Sequence, residues 1–144
     1  MRIALFVSAI SVAACQPVPH SALTNVDWTN GQRPCSEQNL SFKNNMIAYN
    51  VVDGRIELFD ILSMEPVPND VELVRVVTAP AAALRKSLSS QGKEWLPEQK
   101  ATFVFRSHNN RLSLVGLQRP GHLNVEKPTA SQSIMFDLLA CPSG

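Results

Sequence analysis

Apolar residues recur at every second position through much of residues 39–141, and this period constrains the fold more than any other feature of the chain. Leu40 and Phe42 are spaced in this way, as are Phe103 and Phe105. Side chains two positions apart lie on the same face of a β-strand, so one face can be buried while the other meets water. The pattern therefore predicts a half-buried, mostly antiparallel sheet.

Short turn signals separate these alternating segments. Asn44-Asn45, Asp53-Gly54 and Asn109-Asn110 are pairs that tolerate positive φ, as tight hairpins require. A loop is expected over residues 63–70, which carry two prolines. Strands are expected near residues 39–43, 46–52, 55–62, 71–78, 101–107, 112–117 and 133–141.

One segment has a helical pattern. Leu84 and Leu88 lie four residues apart, Pro80 suits the first helical position, and Gly92 suits the end. A helix is expected over about residues 80–91. The fold class predicted is mainly β: a small antiparallel barrel or sandwich of seven to eight strands with one short helix.

The N-terminus differs in composition from the rest of the chain. Arg2 is the only charged residue before Asp27, and residues 3–14 form a largely apolar run of twelve, too short to span a membrane. The run ends in Val12-Ala13-Ala14-Cys15, which resembles the lipobox of bacterial lipoproteins. An ordinary secretory signal followed by a chance cysteine is the alternative interpretation.

The lipoprotein resemblance implies removal of residues 1–14 as a signal peptide and attachment of diacylglyceryl and acyl (palmitate-type) chains to Cys15. Several buried acyl chains make a stable anchor, whereas one chain is marginal. The protein would then lie in the bacterial cell envelope. Gln16 follows the lipidated residue in place of aspartate, which in enterobacterial lipoproteins indicates the periplasmic face of the outer membrane.

The cysteine count fits this interpretation. Of the three cysteines, Cys15 is assigned to lipid, which leaves Cys35 and Cys141 as an even pair in an oxidising compartment. A disulfide between them would tie the start of the domain to its last strand; two free thiols are the alternative. Residues 15–34, rich in Pro, Asn, Thr and Ser, are interpreted as a tether, and residues 35–144 as a single disulfide-closed β domain. Trp28 is the exception within the tether, and we expect it to start the fold by packing against the floor of the barrel or sandwich.

Charge excludes one class of partner. Loss of residues 1–14 would remove Arg2 from the thirteen basic side chains and leave twelve against twelve acidic ones. A neutral domain has no electrostatic footprint for nucleic acid and no polybasic segment to reinforce membrane attachment. Lipid on Cys15 must provide the anchor.

The mature chain also resembles small exported barrels of the lipocalin-like and lysozyme-inhibitor-like kinds. The features that carry the resemblance are Trp28, Cys35 soon after it, the Lys93-Glu94-Trp95 turn before the Phe103 hairpin, and the closing Cys141-Pro142. The chain departs from the lipocalin pattern at Val26, where that pattern has glycine two residues before the tryptophan. No binding residue of those families can be carried over.

Motifs for metal or catalysis are not found in the sequence. His20, His108 and His122 lie far apart, and the acids between Asp60 and Glu72 do not have calcium-loop spacing. No Gly-x-Ser-x-Gly elbow and no Gly-rich phosphate loop occurs. We therefore expect no catalytic residue, no metal and no cofactor.

Two features are candidates for partner binding. Residues 53–72 contain six acids and one base, whereas residues 100–127 contain five bases and one acid. These segments could form a polarised surface that steers a charged partner, or they could neutralise each other across adjacent strands. Trp95, beside a proline, could be a binding hot spot or could pack back over the core. The candidate residues are Trp95, Arg106, His108, Arg111 and Arg119.

The function class favoured is a lipid-anchored periplasmic binding or interaction lipoprotein that contacts a protein partner of the envelope, as inhibitor-type and immunity-type lipoproteins do. The alternative is a lipocalin-like carrier of a small apolar ligand, which requires an apolar cavity open at one end of the barrel. An enzyme has the least support.

Overall fold

The computed structural model describes residues 23–96 and 98–142. In these residues, eight antiparallel strands form a closed barrel in which each strand pairs with its sequence neighbours and β8 returns to β1. The predicted β class with a short helix is confirmed, and the architecture is a barrel and not a sandwich. The elements are β1 (Trp28–Thr29), β2 (Gln38–Ser41), β3 (Met46–Val51), β4 (Gly54–Val67), β5 (Asp70–Pro80), α1 (Ala82–Ser90), β6 (Ala101–His108), β7 (Arg111–Gln118), α2 (Ala130–Met135) and β8 (Leu138–Ala140).

The N-terminal predictions lie outside the described residues. These are the signal peptide over residues 1–14 and lipidation of Cys15. Among the residues that the structure does describe, no helix has the length and apolar content needed to cross a membrane.

Asparagine pairs form two of the hairpin turns as predicted. Asn44 and Asn45 both have φ near +55°, and Asn109 and Asn110 have φ of 48° and 61°. Asparagine tolerates this left-handed region better than other residues with a side chain. The Asp53-Gly54 hairpin also forms, but its turn is at residues 52–53, and Gly54 begins β4 without a positive φ.

The first and last strands close the barrel. Trp28 is paired with Leu40 on one side and with Ala140 on the other. The predicted disulfide is present: Cys35 and Cys141 are bonded, with their Cα atoms 5.9 Å apart. It links the β1–β2 connection to the residue after β8.

The folded domain begins before Cys35. Leu23 is fully buried, and its carbonyl accepts a hydrogen bond of 3.3 Å from the indole N–H of Trp28. Residues 23–34 of the expected tether therefore contribute to the barrel, because an apolar residue and a tryptophan gain more from burial than from solvent. The rest of the expected tether lies outside the described residues.

β4 is longer than predicted, and the expected loop over residues 63–70 is wrong. The strand continues to Val67, and Pro66 is paired with Val74 of β5. In the described pairing, β3 accompanies β4 only as far as Asp60. Proline lacks an N–H, so it is tolerated where only one side of a strand is hydrogen-bonded within the sheet.

Both helices differ from the sequence prediction, α1 in its first residue and α2 in forming where a strand was expected. α1 begins at Ala82, because Pro80 is the buried last residue of β5. The strand predicted over residues 133–141 is wrong in its first half, where α2 forms. Thr129 begins α2 with a capping box, in which its side chain and that of Gln132 each accept a backbone N–H.

The inward-facing side chains form one aromatic core. The Phe105 ring lies 5.4 Å from Phe42, 5.9 Å from Phe103 and 5.5 Å from Phe136, measured between ring centroids. Three of these four residues belong to or directly follow strands, whereas Phe136 follows α2. The core therefore receives a ring from a connection as well as from the sheet.

The two ends of the barrel are built differently. One end is closed by the short turns at residues 42–45, 68–69 and 109–110. The other end carries the connections at residues 30–37, 81–100 and 119–137, which include both α1 and α2, and we call it the open end. Because β8 pairs only with Arg111 and Leu112 of β7, α2 and Phe136 lie beside the remaining length of β7.

Gly116 on β7 permits close approach of the 119–137 connection. A Cβ at this position would lie 2.7 Å from Cγ1 of Val125 and 3.3 Å from Cβ of Val104. We expect Gly116→Ala to destabilise the protein by about 1–3 kcal/mol, the usual cost of overpacking. Thermal unfolding measures the effect.

Two variants test the cause. The additional change Val125→Ala should restore most of the lost stability, and Gly54→Ala should have little effect, since no atom lies within 4 Å of a Cβ at Gly54. Equal destabilisation by both glycine substitutions would contradict the packing explanation.

Candidate functional site

Two cavities open at the same end of the barrel. The first, of about 400 Å³, lies between α2 and the sheet of β1 to β4. It is lined in the described part of the chain by neutral polar and apolar side chains, with Asp137 as the one acidic residue: Trp28, Thr29, Asn30, Gln32, Gln38, Asn39, Leu40, Tyr49, Leu58, Ile134, Met135, Phe136, Asp137 and Leu138.

The second cavity, of about 380 Å³, lies between α2 and β6–β7. Its described lining is almost wholly apolar and aromatic: Phe59, Trp95, Ala101, Phe103, Leu114, Leu117, Arg119, Pro120, Gln132, Met135 and Phe136. Both volumes lie within the range of about 300–1,000 Å³ that is usual for small-molecule sites.

Met135 and Phe136 separate the two cavities and belong to both. Phe136 is held on its inner side by Phe103 and Phe105. The next residue, Asp137, accepts two hydrogen bonds from the Arg111 guanidinium, of 2.8 and 2.9 Å. Arg111 therefore positions the segment that divides the site.

Trp95 packs back towards the core and also lines the second cavity. Its ring centroid lies 5.5 Å from that of Phe59, and its indole N–H donates to the Gln99 carbonyl at 2.9 Å. The side chain is only partly buried. Both uses that the sequence left open for this residue are compatible with its position.

Arg106 and His108 lie at the closed end, away from both cavities. Arg106 donates to Oε2 of Glu72 at 2.9 Å, and Nδ1 of His108 lies 2.7 Å from Oε1 of the same carboxylate. Asp70 lies 3.7 Å from the other guanidinium nitrogen. Acidic β5 and basic β6 therefore neutralise each other locally, one of the two arrangements that the sequence allowed.

Arg111 and Arg119 also have acidic partners, both beside α2 or its connection. Arg111 binds Asp137, and Arg119 lies 3.0 Å from Oε2 of Glu126. Of the five candidate residues, Trp95 and Arg119 line the second cavity, and Arg111 adjoins the first through Asp137. The structure thus does not bring the five together in one place.

The pKa of Glu72 is lowered by its hydrogen bonds to Arg106 and then His108, and the pKa of Asp137 is lowered by Arg111. A carboxylate whose pKa is lower in the folded than in the unfolded state stabilises the fold above its unfolded pKa and loses that contribution as the pH falls. We expect the melting temperature to decline below about pH 4, where unfolded Glu and Asp take up protons.

The Glu72→Gln and Asp137→Asn variants should show a shallower decline over that range than the wild-type protein. Glu57→Gln, on an exposed part of β4, serves as a matched control and should leave the slope unchanged. Identical pH profiles for all four proteins would contradict the role of these two ion pairs.

Sequence reasoning missed most of the residues that build the cavities. Gln38, Tyr49 and Met135 were not singled out, and Phe136 was expected to face inward from a strand, because nothing in a sequence pattern shows that α2 lies beside the sheet. The Thr129-x-x-Gln132 capping box was the available signal for α2. No cluster of three or more potential metal ligands occurs among residues 23–96 and 98–142.

The chain matches no known protein-family model, no curated protein and no solved structure.

Proposed function

We propose that this protein is a lipid-anchored binding protein of the bacterial cell envelope that holds a small apolar ligand at the open end of its barrel. The observation that carries the proposal is the convergence of two cavities on Phe136, one of them with an almost wholly apolar lining. The carrier alternative drawn from the sequence requires such a cavity.

The second cavity suits an apolar molecule for a simple physical reason. Burial of apolar surface contributes about 25 cal/mol for each Å² removed from water, and a site already lined by aromatic rings loses little polar contact when it is filled. Its one charged side chain, Arg119, is already paired with Glu126. An uncharged tail therefore fits the cavity better than an ionic group.

Native mass spectrometry of the full chain, extracted from membranes in mild detergent, tests the proposal. We expect an additional non-covalent mass that is lost in the Leu117→Trp variant, because the larger ring would fill the second cavity. Leu123→Trp, at an exposed position in the 119–137 connection, is the matched control and should keep the mass. Absence of any bound molecule from both the wild type and the control would count against a carrier.

The anchor is a separate part of the proposal. The anchor is inferred from the Val12-Ala13-Ala14-Cys15 motif. Lipid on Cys15 would hold the barrel at a membrane surface, and Gln16 indicates that this is the outer membrane. We expect wild-type protein to incorporate labelled palmitate and Cys15→Ala to remain unlabelled. Unchanged gel mobility after globomycin treatment would contradict lipidation.

A protein partner remains a second candidate, and one observation favours it. Leu123, Ile134 and Met135 are strongly exposed apolar residues in the 119–137 connection at the open end. Exposed apolar groups of this kind often mark contact surfaces. A photo-crosslinker placed at Ile134 should give a single reproducible adduct in envelopes, whereas one at exposed Val71, near the closed end, should not. Equal adducts at both sites would argue against a specific surface.

An enzyme has less support from the geometry. The pair His108 and Glu72 is the closest approach of a histidine to a carboxylate among the described residues, at 2.7 Å. It lies on the exposed surface of β5 and β6, and neither residue lines the two cavities. A general base away from any substrate cleft has nothing to act on.

A further inference from the structure

The first cavity differs from the second in chemistry. Three residues with side-chain amides and one with a phenol belong to its lining: Asn30, Gln32, Gln38 and Tyr49. A fourth amide, that of Asn39, already donates to the Cys35 carbonyl and accepts from Asn50. Its one carboxylate, Asp137, already accepts both hydrogen bonds from Arg111. The cavity therefore offers hydrogen bonds and no unpaired charge from the described residues.

Gln38 and Tyr49 retain hydrogen-bonding capacity. Gln38 is paired with Val51 and Tyr49 with Leu40, so the two side chains are diagonal neighbours on one face of β2 and β3, and the Gln38 amide donates to the Tyr49 hydroxyl. An amide carries two donors and an acceptor oxygen, and a phenol carries one donor besides its acceptor lone pairs. One bond between the two groups leaves further donors and acceptors for a ligand.

The two cavities share two lining residues. Met135 is about two-thirds exposed and has an unbranched, adaptable side chain, and both cavities include it together with Phe136. A molecule with a polar group in the first cavity and an apolar chain in the second would pass beside Met135. The polar group would then lie among hydrogen-bonding side chains, and the apolar chain would lie among apolar ones.

We propose that the two cavities bind one amphiphilic molecule, with an uncharged, hydrogen-bonding head group such as a sugar or amide in the first cavity and its apolar tail in the second. This inference rests on the proposed small-ligand function and specifies the ligand class. A charged head would be disfavoured, since transfer of an ion from water without a partner is costly.

The two tryptophans provide separate reporters. Trp28 belongs to the lining of the first cavity and Trp95 to that of the second, and the chain has no other tryptophan. Fluorotryptophan incorporated into the full chain would give one fluorine NMR resonance for each position, assigned with Trp95→Phe. No change to the wild-type cavities is needed to follow both sites.

Four probes with chains of eight carbons, each below its micelle concentration, test the head group: octyl glucoside, octanoate (whose eighth carbon is the carboxylate carbon), octyltrimethylammonium and 1-octanol. We expect octyl glucoside to shift both resonances and to bind about tenfold more tightly than octanoate or octyltrimethylammonium, an order-of-magnitude estimate for one unpaired charge. 1-Octanol should shift mainly Trp95.

A double variant tests the residues involved. Gln38→Leu with Tyr49→Phe should bring the affinity for octyl glucoside down to that for 1-octanol, while 1-octanol binding stays unchanged and shows that the barrel is still folded. Gln91→Leu, at the exposed end of α1, is the matched control and should keep the preference for the glucoside.

The outcomes separate this inference from the broader proposal. Equal binding of all four probes, with a response at Trp95 alone, would overturn the head-group site and leave an apolar-ligand site in place. Binding of none of the probes would overturn the small-ligand function itself.

Discussion

Loss of the Cys35–Cys141 disulfide should lower the free energy of unfolding by about 2–5 kcal/mol. The bond joins residues separated by 106 positions, so it restricts nearly the whole described barrel in the unfolded state. In the chain-entropy description, the restriction of so long a loop gives a large gain. Urea unfolding of Cys35→Ala with Cys141→Ala, followed by tryptophan fluorescence and compared with the oxidised wild type, measures it.

Ser36→Ala provides a control in the same connection. Ser36 is exposed, so its replacement should change stability by no more than about 0.5 kcal/mol. Reduction of the wild-type disulfide should reproduce the effect of the double variant. Equal unfolding midpoints for oxidised and reduced protein would mean that the bond does not stabilise the barrel.

Phe105→Ala should cost about 3–5 kcal/mol, the usual range for removal of a buried phenylalanine ring. Phe105 has no exposed surface and contacts three other rings, so the space left behind cannot collapse without moving Phe42, Phe103 or Phe136. Urea unfolding measures this change as well. Part of the loss should appear at the site, because Phe136 would lose one of its supports.

Leu123→Ala is the matched control for Phe105→Ala. Leu123 is almost fully exposed, so truncation of this residue should change stability by no more than about 0.5 kcal/mol. A loss below about 1 kcal/mol for Phe105→Ala would contradict the role of the aromatic cluster as the centre of the core.

The strands and turns could be predicted from the sequence because they depend on local chemistry. Alternation places Leu40 and Phe103 on a buried face whatever the partner strand is, and the Asn-Asn pairs accept the dihedral angles of a hairpin. β4 is longer than predicted because Pro66 is paired with β5 on one side only. This arrangement depends on the whole sheet. A local pattern cannot show that.

α2 was predicted as a strand for a related reason. Ile134, Phe136 and Leu138 alternate as strand residues do, yet Ile134 is three-quarters exposed, and only the two later residues point inward. The capping box at Thr129 outweighed the alternation, since it satisfies two backbone N–H groups at the helix start. A short apolar run is compatible with either structure until its caps are considered.

The candidate site was the least predictable part. Its polar half is formed by β1, β2 and β3 with residues from the 119–137 connection, so more than ninety positions separate Gln38 from Phe136 in the sequence. The charge pattern left open whether acidic and basic strands would neutralise each other, and Glu72 with Arg106 is a pair that does so. Those two charged residues lie away from both cavities.

The pairing of β1 with β8 has a consequence for self-association. A sheet that closes on itself presents no row of unpaired N–H and C=O groups on which another chain could add a strand. Here closure of the sheet depends on β1, which has two residues, and on β8, which has three. These are the first and last strands of the described sequence. Until Leu138–Ala140 has docked, the flanks of β1 and β7 stay available for intermolecular β-pairing, so molecules in which β8 is not yet paired are the ones most prone to aggregation.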